Sequence, residues 1–231
     1  MTREKRSGLL HHMPRKKTKG QSPADLIEPD SSLEDLRGAA ESCRGCDIWQ
    51  RATQVVFGEG APGAEVMLVG EQPGTREDLD GRPFVGPAGR LLDEALIKAG
   101  IERRGIYVTN IVKHFNSTTR GKLRIHKKPN AEEIAACRPW LEAEIARVGP
   151  KVIVCLGATA AQALIARDFR VSRQRGEMMK SPLAPLITAT VHPSSILRSR
   201  DDKSRHAEMR QFVDDLKKIA RHLPPSALKR K

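Results

Sequence analysis

Aromatic residues are scarce: five Phe, two Trp and one Tyr among 231 positions. Aliphatic side chains must therefore fill the interior, and a chain of this length suffices for one sizeable core. Cysteines number four, too few for a disulfide scaffold in a chain this long, so a Cys-x2-Cys pair reads as metal-binding or redox. No run of eighteen apolar residues occurs, so no segment is expected to span a membrane. The N-terminal residues carry charge without an apolar stretch behind it, which does not read as a secretory signal. A monomer in the cytoplasm is expected, and no internal repeat is visible.

Acidic residues are in deficit, and the formal net charge is +13. Its distribution is uneven. Residues 1–20 carry seven Lys or Arg against Glu4, and residues 221–231 carry four basic residues and no acid. Tails of this kind raise affinity for nucleic acid without sequence specificity, although a solubilising role accounts for them equally well. The expected organisation is a disordered basic tail over 1–24, one folded domain over 25–222 and a basic C-terminal tail over 223–231. A third basic concentration is internal. Asn110 to Asn130 holds six Lys or Arg, two His and no acidic residue, with no helical or strand period. A structureless connection that long is rare in a compact domain unless it is functional or disordered. It is either a solvated loop or one that grips a polyanion.

Short apolar runs alternate with helical stretches. Strands are expected at 65–69, 106–109, 152–156 and 186–191. Helices are expected at 33–42 behind Ser31 or Ser32, 91–99 before Gly100, 131–147 behind an Asn130-x-x-Glu133 start, 158–166 and 204–221. The Gly- and Pro-rich segment Gly70 to Arg90 is expected to be a shaped loop, and 170–185 an irregular stretch. The pattern predicts an α/β fold in three layers, a central four-stranded parallel sheet flanked by helices. In such sheets the ligand lies at the carboxyl ends of the strands. That rule gathers Glu71 and Gln72, Asn110, the Gly157 turn and His192.

Cys43 and Cys46 form a chelating pair. No βαβ unit surrounds them as it would a redox dithiol, so a metal is favoured. Cys137 is a third candidate ligand. The fourth is open between Cys155, inside an all-apolar strand where cysteine is usually a small hydrophobe, and His114, at a strand end. Position favours His114, and imidazole replaces thiolate in some iron–sulfur sites.

Four segments then point to a family. They are G-E-Q-P-G at Gly70 to Gly74, E-D-x-x-G-x-P-F-V-G-P-A-G from Glu77 to Gly89, T-N-x-x-K at Thr109 to Lys113, and V-H-P-S-S at Val191 to Ser195. Together they resemble the family 4 uracil-DNA glycosylases. With Arg124-Ile125-His126 they resemble most the UdgX-type subgroup, which binds uracil-DNA covalently. The resemblance covers about residues 38–220. It implies an iron–sulfur cluster, of 4Fe–4S type, on Cys43, Cys46, His114 and Cys137, with His114 standing where the family usually has cysteine. It also implies uracil-containing DNA as partner, with single strands accepted, and association with the nucleoid.

The resemblance further assigns roles. Phe84 would stack on uracil. Asn110, which both donates and accepts, would match uracil O4 and N3–H. His192 would donate to O2 and stabilise the departing anion. His126 would meet C1′ of the sugar as a neutral nucleophile, with Glu71 holding its other ring N–H. Gln72 would fix the loop or a uracil contact, Arg124 the loop or a phosphate, and Ser194 a phosphate. Taken singly, each has a plainer reading: Asn110 a strand-end turn residue, His192 a structural histidine, His126 a DNA contact. Leu123 stands where the subgroup commonly has a basic residue. The alternatives are a turning-over hydrolytic glycosylase, a non-catalytic binder of damaged DNA and an iron–sulfur redox sensor.

Overall fold

The computed structural model describes residues 21–121, 123–223 and 228. The N-terminal basic segment up to residue 20 and most of the C-terminal tail lie outside the described residues.

The central sheet has four parallel strands, β1 (Val66–Gly70), β2 (Ile106–Asn110), β5 (Val152–Leu156) and β6 (Leu186–Thr190), in the order β2-β1-β5-β6. Every strand residue is buried except Leu186, which is half-buried, as expected of strands covered on both faces. Alternate side chains feed two cores. Leu68, Val108 and Val154 meet helices α4 (Pro87–Ala99) and α9 (Asp202–Ala220) through Leu92, Leu96, Phe212 and Leu216. Met67, Tyr107 and Ile153 meet α5 (Ala131–Val148) and α6 (Ala158–Leu164) through Leu141, Ile145 and Ala160. The expected three-layer α/β architecture is thus the one observed. No helix among the described residues is long and apolar enough to cross a membrane.

A third cluster lies outside the sheet. Leu36 of α2 (Leu33–Ala40), Ile48, Phe57 and Trp140 enclose Cys43 and Cys137, with Cys46 at its edge. Ser32 caps α2, its hydroxyl accepting from Asp35 N–H, and Asn130 caps α5 in the same way through Glu133 N–H, as the N-cap rule predicts.

Several expected boundaries change. The basic stretch after β2 is not structureless: β3 (Ser117–Arg120) and β4 (Leu123–His126) pair antiparallel around Gly121. Among the described hairpin residues only Ser117 is buried. Leu123 and Ile125 are exposed while Arg124 and His126 turn inward to Asp78 and Glu71, so the two-residue period runs opposite to that of a strand with a buried apolar face. The segment 70–90 contains α3 (Thr75–Asp80) and the first turn of α4. Pro87 at the first helical position starts α4 earlier than its apolar pattern does. Short helices also occupy α1 (Pro23–Leu26), across the expected boundary between tail and domain, α7 (Val171–Gln174), within the expected irregular stretch, and α8 (Pro193–Leu197), directly behind His192. At the other end Leu223 is buried, and Leu228 bridges to Ile101, so part of the C-terminal tail packs on the body.

Candidate active site

The carboxyl ends of β1, β2, β5 and β6 surround a cavity of about 950 Å³. Glu71, Phe84, Asn110, His126, His192 and Ser194 all line it, so residues from 71 to 194 of the chain meet in one place.

Phe84 is the one described non-glycine residue with positive φ, at 56°. Its ring lies 6.0 Å from that of His192, centroid to centroid, at 32°. Two glycines make this placement possible. A Cβ on Gly89 would lie 1.7 Å from the Phe84 carbonyl oxygen, and one on Gly70 would lie 2.3 Å from Asn110 Oδ1 and 2.8 Å from Phe84 Cζ. Strained backbone conformations of this kind concentrate at ligand sites. Asn110 is buried, and its Oδ1 has no hydrogen-bond partner. An unpaired buried amide oxygen is costly unless a ligand donor meets it.

His192 sits at the N-cap of α8. Its Nδ1 accepts from Ser194 N–H at 3.2 Å and lies 2.8 Å from Ser194 Oγ. An accepting Nδ1 places the neutral ring's proton on Nε2. Burial pushes His192 down to about 4, so near neutrality it is an uncharged Nε2–H donor.

Across the cavity, His126 projects from β4, 52 % of its side chain exposed, with Nε2 3.2 Å from Glu71 Oε1. The other Glu71 oxygen accepts the Thr159 hydroxyl from the first turn of α6. Burial pushes the Glu71 carboxyl upward, but the His126 and Thr159 hydrogen bonds outweigh it and hold the group below its ordinary value. Gln72 and Arg124 tie down the hairpin carrying His126. Gln72 Nε2 donates to the carbonyls of Asn116 and Lys127, both at 3.2 Å, and its Oε1 accepts Asn116 N–H at 3.1 Å. Arg124 donates to the fully buried Asp78 at 2.7 Å, to Thr53 Oγ1 at 3.2 Å and to the Arg51 carbonyl at 2.8 Å. Its guanidinium also lies 4.9 Å over the Phe115 ring. Gln72 and Arg124 therefore hold the loop, and Ser194 contacts His192 at the cavity wall.

Behind β2, Lys113 and Glu144 form an ion pair at 2.5 Å, with side-chain exposures of 1 % and 0 %. Lys113 Nζ also donates to Thr109 Oγ1 and the Asn110 carbonyl, and Glu144 accepts from Tyr107, Thr109 and Gly58 N–H. The network pins the backbone of Asn110 from below. Lys113 N–H donates to Cys137 Sγ at 3.3 Å, so this segment touches both the cavity and the cysteine cluster.

Cys43 and Cys46 are near enough to Cys137 to act electrostatically on its thiol, whereas the shift of Cys155 comes from burial alone. Cys155 lies in the core between β5 and α6, as expected of a small hydrophobe. His114 is buried one residue beyond the amide that meets Cys137. Among the described residues, however, no three His, Cys, Asp or Glu side chains converge as ligands of a single ion do.

Several site residues escaped the sequence reading. Thr159 and Phe115 belong to no motif, and Asp78, though it stands in the segment from Glu77 to Gly89, carried no assigned role; what these residues do arises only from the folded contacts. A buried Lys–Glu pair is likewise invisible until Lys113 and Glu144 are placed. Glu77 left a trace in its spacing from Gly74 and Gly86, whose amides its carboxylate accepts at 3.1 and 2.8 Å.

The model of the uracil DNA glycosylase superfamily matches residues 57–217. The chain belongs to that superfamily. It is 36 % identical over 187 residues to the type-4 uracil-DNA glycosylase of Thermotoga maritima, covering 80 % of this chain and 92 % of the relative. The type-4 uracil-DNA glycosylase of Archaeoglobus fulgidus is 36 % identical over 195 residues, covering 81 % and 92 %. A type-5 uracil-DNA glycosylase of Thermus thermophilus is 32 % identical over 148 residues, covering 58 % and 63 %.

Proposed function

We propose that this glycosylase excises uracil from DNA and then remains bonded to the abasic sugar through His126. Extrahelical uracil enters the cavity, stacks on Phe84 and is read by the Asn110 amide, whose free Oδ1 accepts N3–H. Cleavage of C1′–N1 sends the electron pair to uracil, whose O2 receives the Nε2–H of neutral His192. The oxocarbenium carbon is then captured by the His126 nitrogen that Glu71 does not hold. The Glu71 carboxylate keeps the other nitrogen's proton hydrogen-bonded as positive charge develops on the ring. The observation that carries this reading is the Glu71–His126 contact at the rim of the cavity. Single-stranded DNA is accepted because extrusion of the base then needs no unpairing.

The test is a denaturing gel after mixing with uracil-containing single-stranded DNA. A DNA band shifted by the mass of the protein supports the bond, and DNA running free of protein refutes it. In His126→Ser the shifted band disappears while uracil release persists. A second reading, a turning-over hydrolase, is favoured by the type-4 relatives, and under it free abasic sites accumulate beyond one per protein. Binding without any uracil release would instead indicate a damaged-DNA binder.

For the cysteine cluster we propose a 4Fe–4S group held by Cys43, Cys46, Cys137 and His114. In such a group each iron takes its own protein ligand, so the four donors need not converge on one point. The three neighbouring thiols and the N–H···S bond to Cys137 suit that arrangement. Bound there, it would tie the end of α2, the end of β2 and α5 together. Iron and sulfide counts after anaerobic purification check this: Cys137→Ala and His114→Ala lower them, and Cys155→Ala does not.

A further inference from the structure

The cysteine cluster contains an unpaired donor. Trp140 follows Cys137 by three residues on α5, which puts both side chains on one face of the helix. Its ring is fully buried, in one cluster with Leu36, Ile48, Phe57, Val112, Cys43 and Cys137. Phe57 packs edge to face against it, with ring centroids 6.1 Å apart at 85°. Trp140 Nε1 nevertheless has no hydrogen-bond partner. Among the described residues only three buried side-chain polar atoms are in that condition, and another of them is Asn110 Oδ1 in the uracil cavity. An indole nitrogen donates and never accepts, and a buried donor left unpaired is costly.

We infer that Trp140 Nε1–H donates to a sulfur of the iron–sulfur group and thereby raises its reduction potential. The inference rests on the cluster reading above and adds to it a residue outside the ligand set. Three observations carry it. The donor is orphaned in the protein itself, so its partner must come from what the cysteines hold. Among the side chains packed in this cluster, only the cysteines carry an acceptor atom. Cys137 Sγ already accepts one N–H, from Lys113, so sulfur in this part of the fold is met by donors. The surrounding hydrocarbon excludes water, which strengthens a hydrogen bond formed there. Reduction adds negative charge to the sulfurs. A donor aimed at one of them therefore stabilises the reduced form more than the oxidised form, and hydrogen bonds of this kind tune such potentials.

The experiment uses the full chain purified anaerobically, with iron and sulfide counted, and titrates its reduction by dithionite in the presence of redox mediators. Trp140→Phe keeps an aromatic ring and removes the donor. It lowers the reduction equilibrium by about tenfold, which is about 59 mV for one electron. In protein carrying isotope-labelled indole nitrogen, pulsed electron paramagnetic resonance of the reduced state shows a nitrogen coupling that Trp140→Phe abolishes. Trp49→Phe, at the other of the two tryptophans, keeps it. Phe57→Leu loosens the same packing without removing a donor and leaves the potential unchanged. If Trp140→Phe fails to retain iron, benzothienylalanine supplied in place of tryptophan in the Trp49→Phe protein exchanges N–H for sulfur in a ring of nearly the same shape. It produces the same fall. An unchanged potential in the loaded Trp140→Phe or benzothienyl protein overturns the inference. So does an equal shift in Phe57→Leu, which assigns the effect to packing. Absence of iron and sulfide from the unmodified protein overturns the cluster reading, and this inference with it.

Discussion

Glu71 is shared between His126 and Thr159, one carboxylate oxygen for each. The Thr159 hydroxyl fixes the plane of the carboxylate, and the carboxylate then orients the imidazole. Thr159→Val keeps the shape and removes the anchor. A hydrogen bond to a charged group contributes about 1.5–3 kcal/mol, so crosslink formation should slow by roughly 10- to 100-fold. Glu71→Gln, which removes the charge facing the imidazolium-like ring, should slow it by about 100-fold or more. Single-turnover gels that follow crosslink and free uracil separately check both. A fall in uracil release with no change in the crosslinked fraction would place Glu71 on the cleavage step instead.

His192 ties stability to pH. In the unfolded chain its pKa is about 6.5, and in the folded chain burial pushes it down to about 4. Between those values the unfolded state binds the proton and the folded state does not. Stability is therefore lost as pH falls from about 6.5 towards 4. Denaturant midpoints should drop between pH 7 and pH 5, and drop less in His192→Gln. An equal drop in both proteins would assign the effect to other groups.

The buried pair predicts an asymmetry. Lys113→Met leaves Glu144 charged and uncompensated behind β2, which should cost about 3–5 kcal/mol of folding stability. Lys113→Met combined with Glu144→Leu removes both charges and should cost less than the sum of the two single losses, although Tyr107, Thr109 and Gly58 N–H then lose their acceptor. Urea unfolding of the single and double variants measures it, and additive losses would disprove the coupling.

Gly89→Ala tests the strained phenylalanine. The added methyl would lie 1.7 Å from the Phe84 carbonyl oxygen, and that turn cannot accept it unchanged. Phe84 must move, so uracil release should fall by more than tenfold while the far-ultraviolet circular dichroism spectrum stays native. Retained release would mean that the stacking ring tolerates displacement.

Much of this architecture was legible in the residues. The strand VIVCL at 152–156 needed no revision, because a buried parallel strand is apolar on both faces and states its limits. Asn110 and His192 were legible because a strand-end rule about topology, rather than a motif alone, converges on them. The hairpin was not. Its inward residues are Arg124 and His126 and its outward ones Leu123 and Ile125, an inverted pattern that periodicity reading discards. The roles of Thr159 and Asp78 were equally silent, since a threonine in a helix turn and the second acid of the segment from Glu77 to Gly89 gain meaning only from the residues they touch. Arg124 was read as a loop or phosphate contact, and the structure commits its guanidinium to Asp78, Thr53 and Arg51.

The hairpin's alternation makes its chemistry depend on parity. One residue added to or removed from the turn between Arg120 and Leu123 would leave a ribbon of much the same length and charge. It would nevertheless carry Ile125 to the rim of the cavity and turn His126 outward. Arg124 would lose Asp78 in the same slip. A slip of one residue in the β3–β4 register would leave every residue of the motif in place and still part His126 from Glu71, so the pairing register matters to this site as much as its composition.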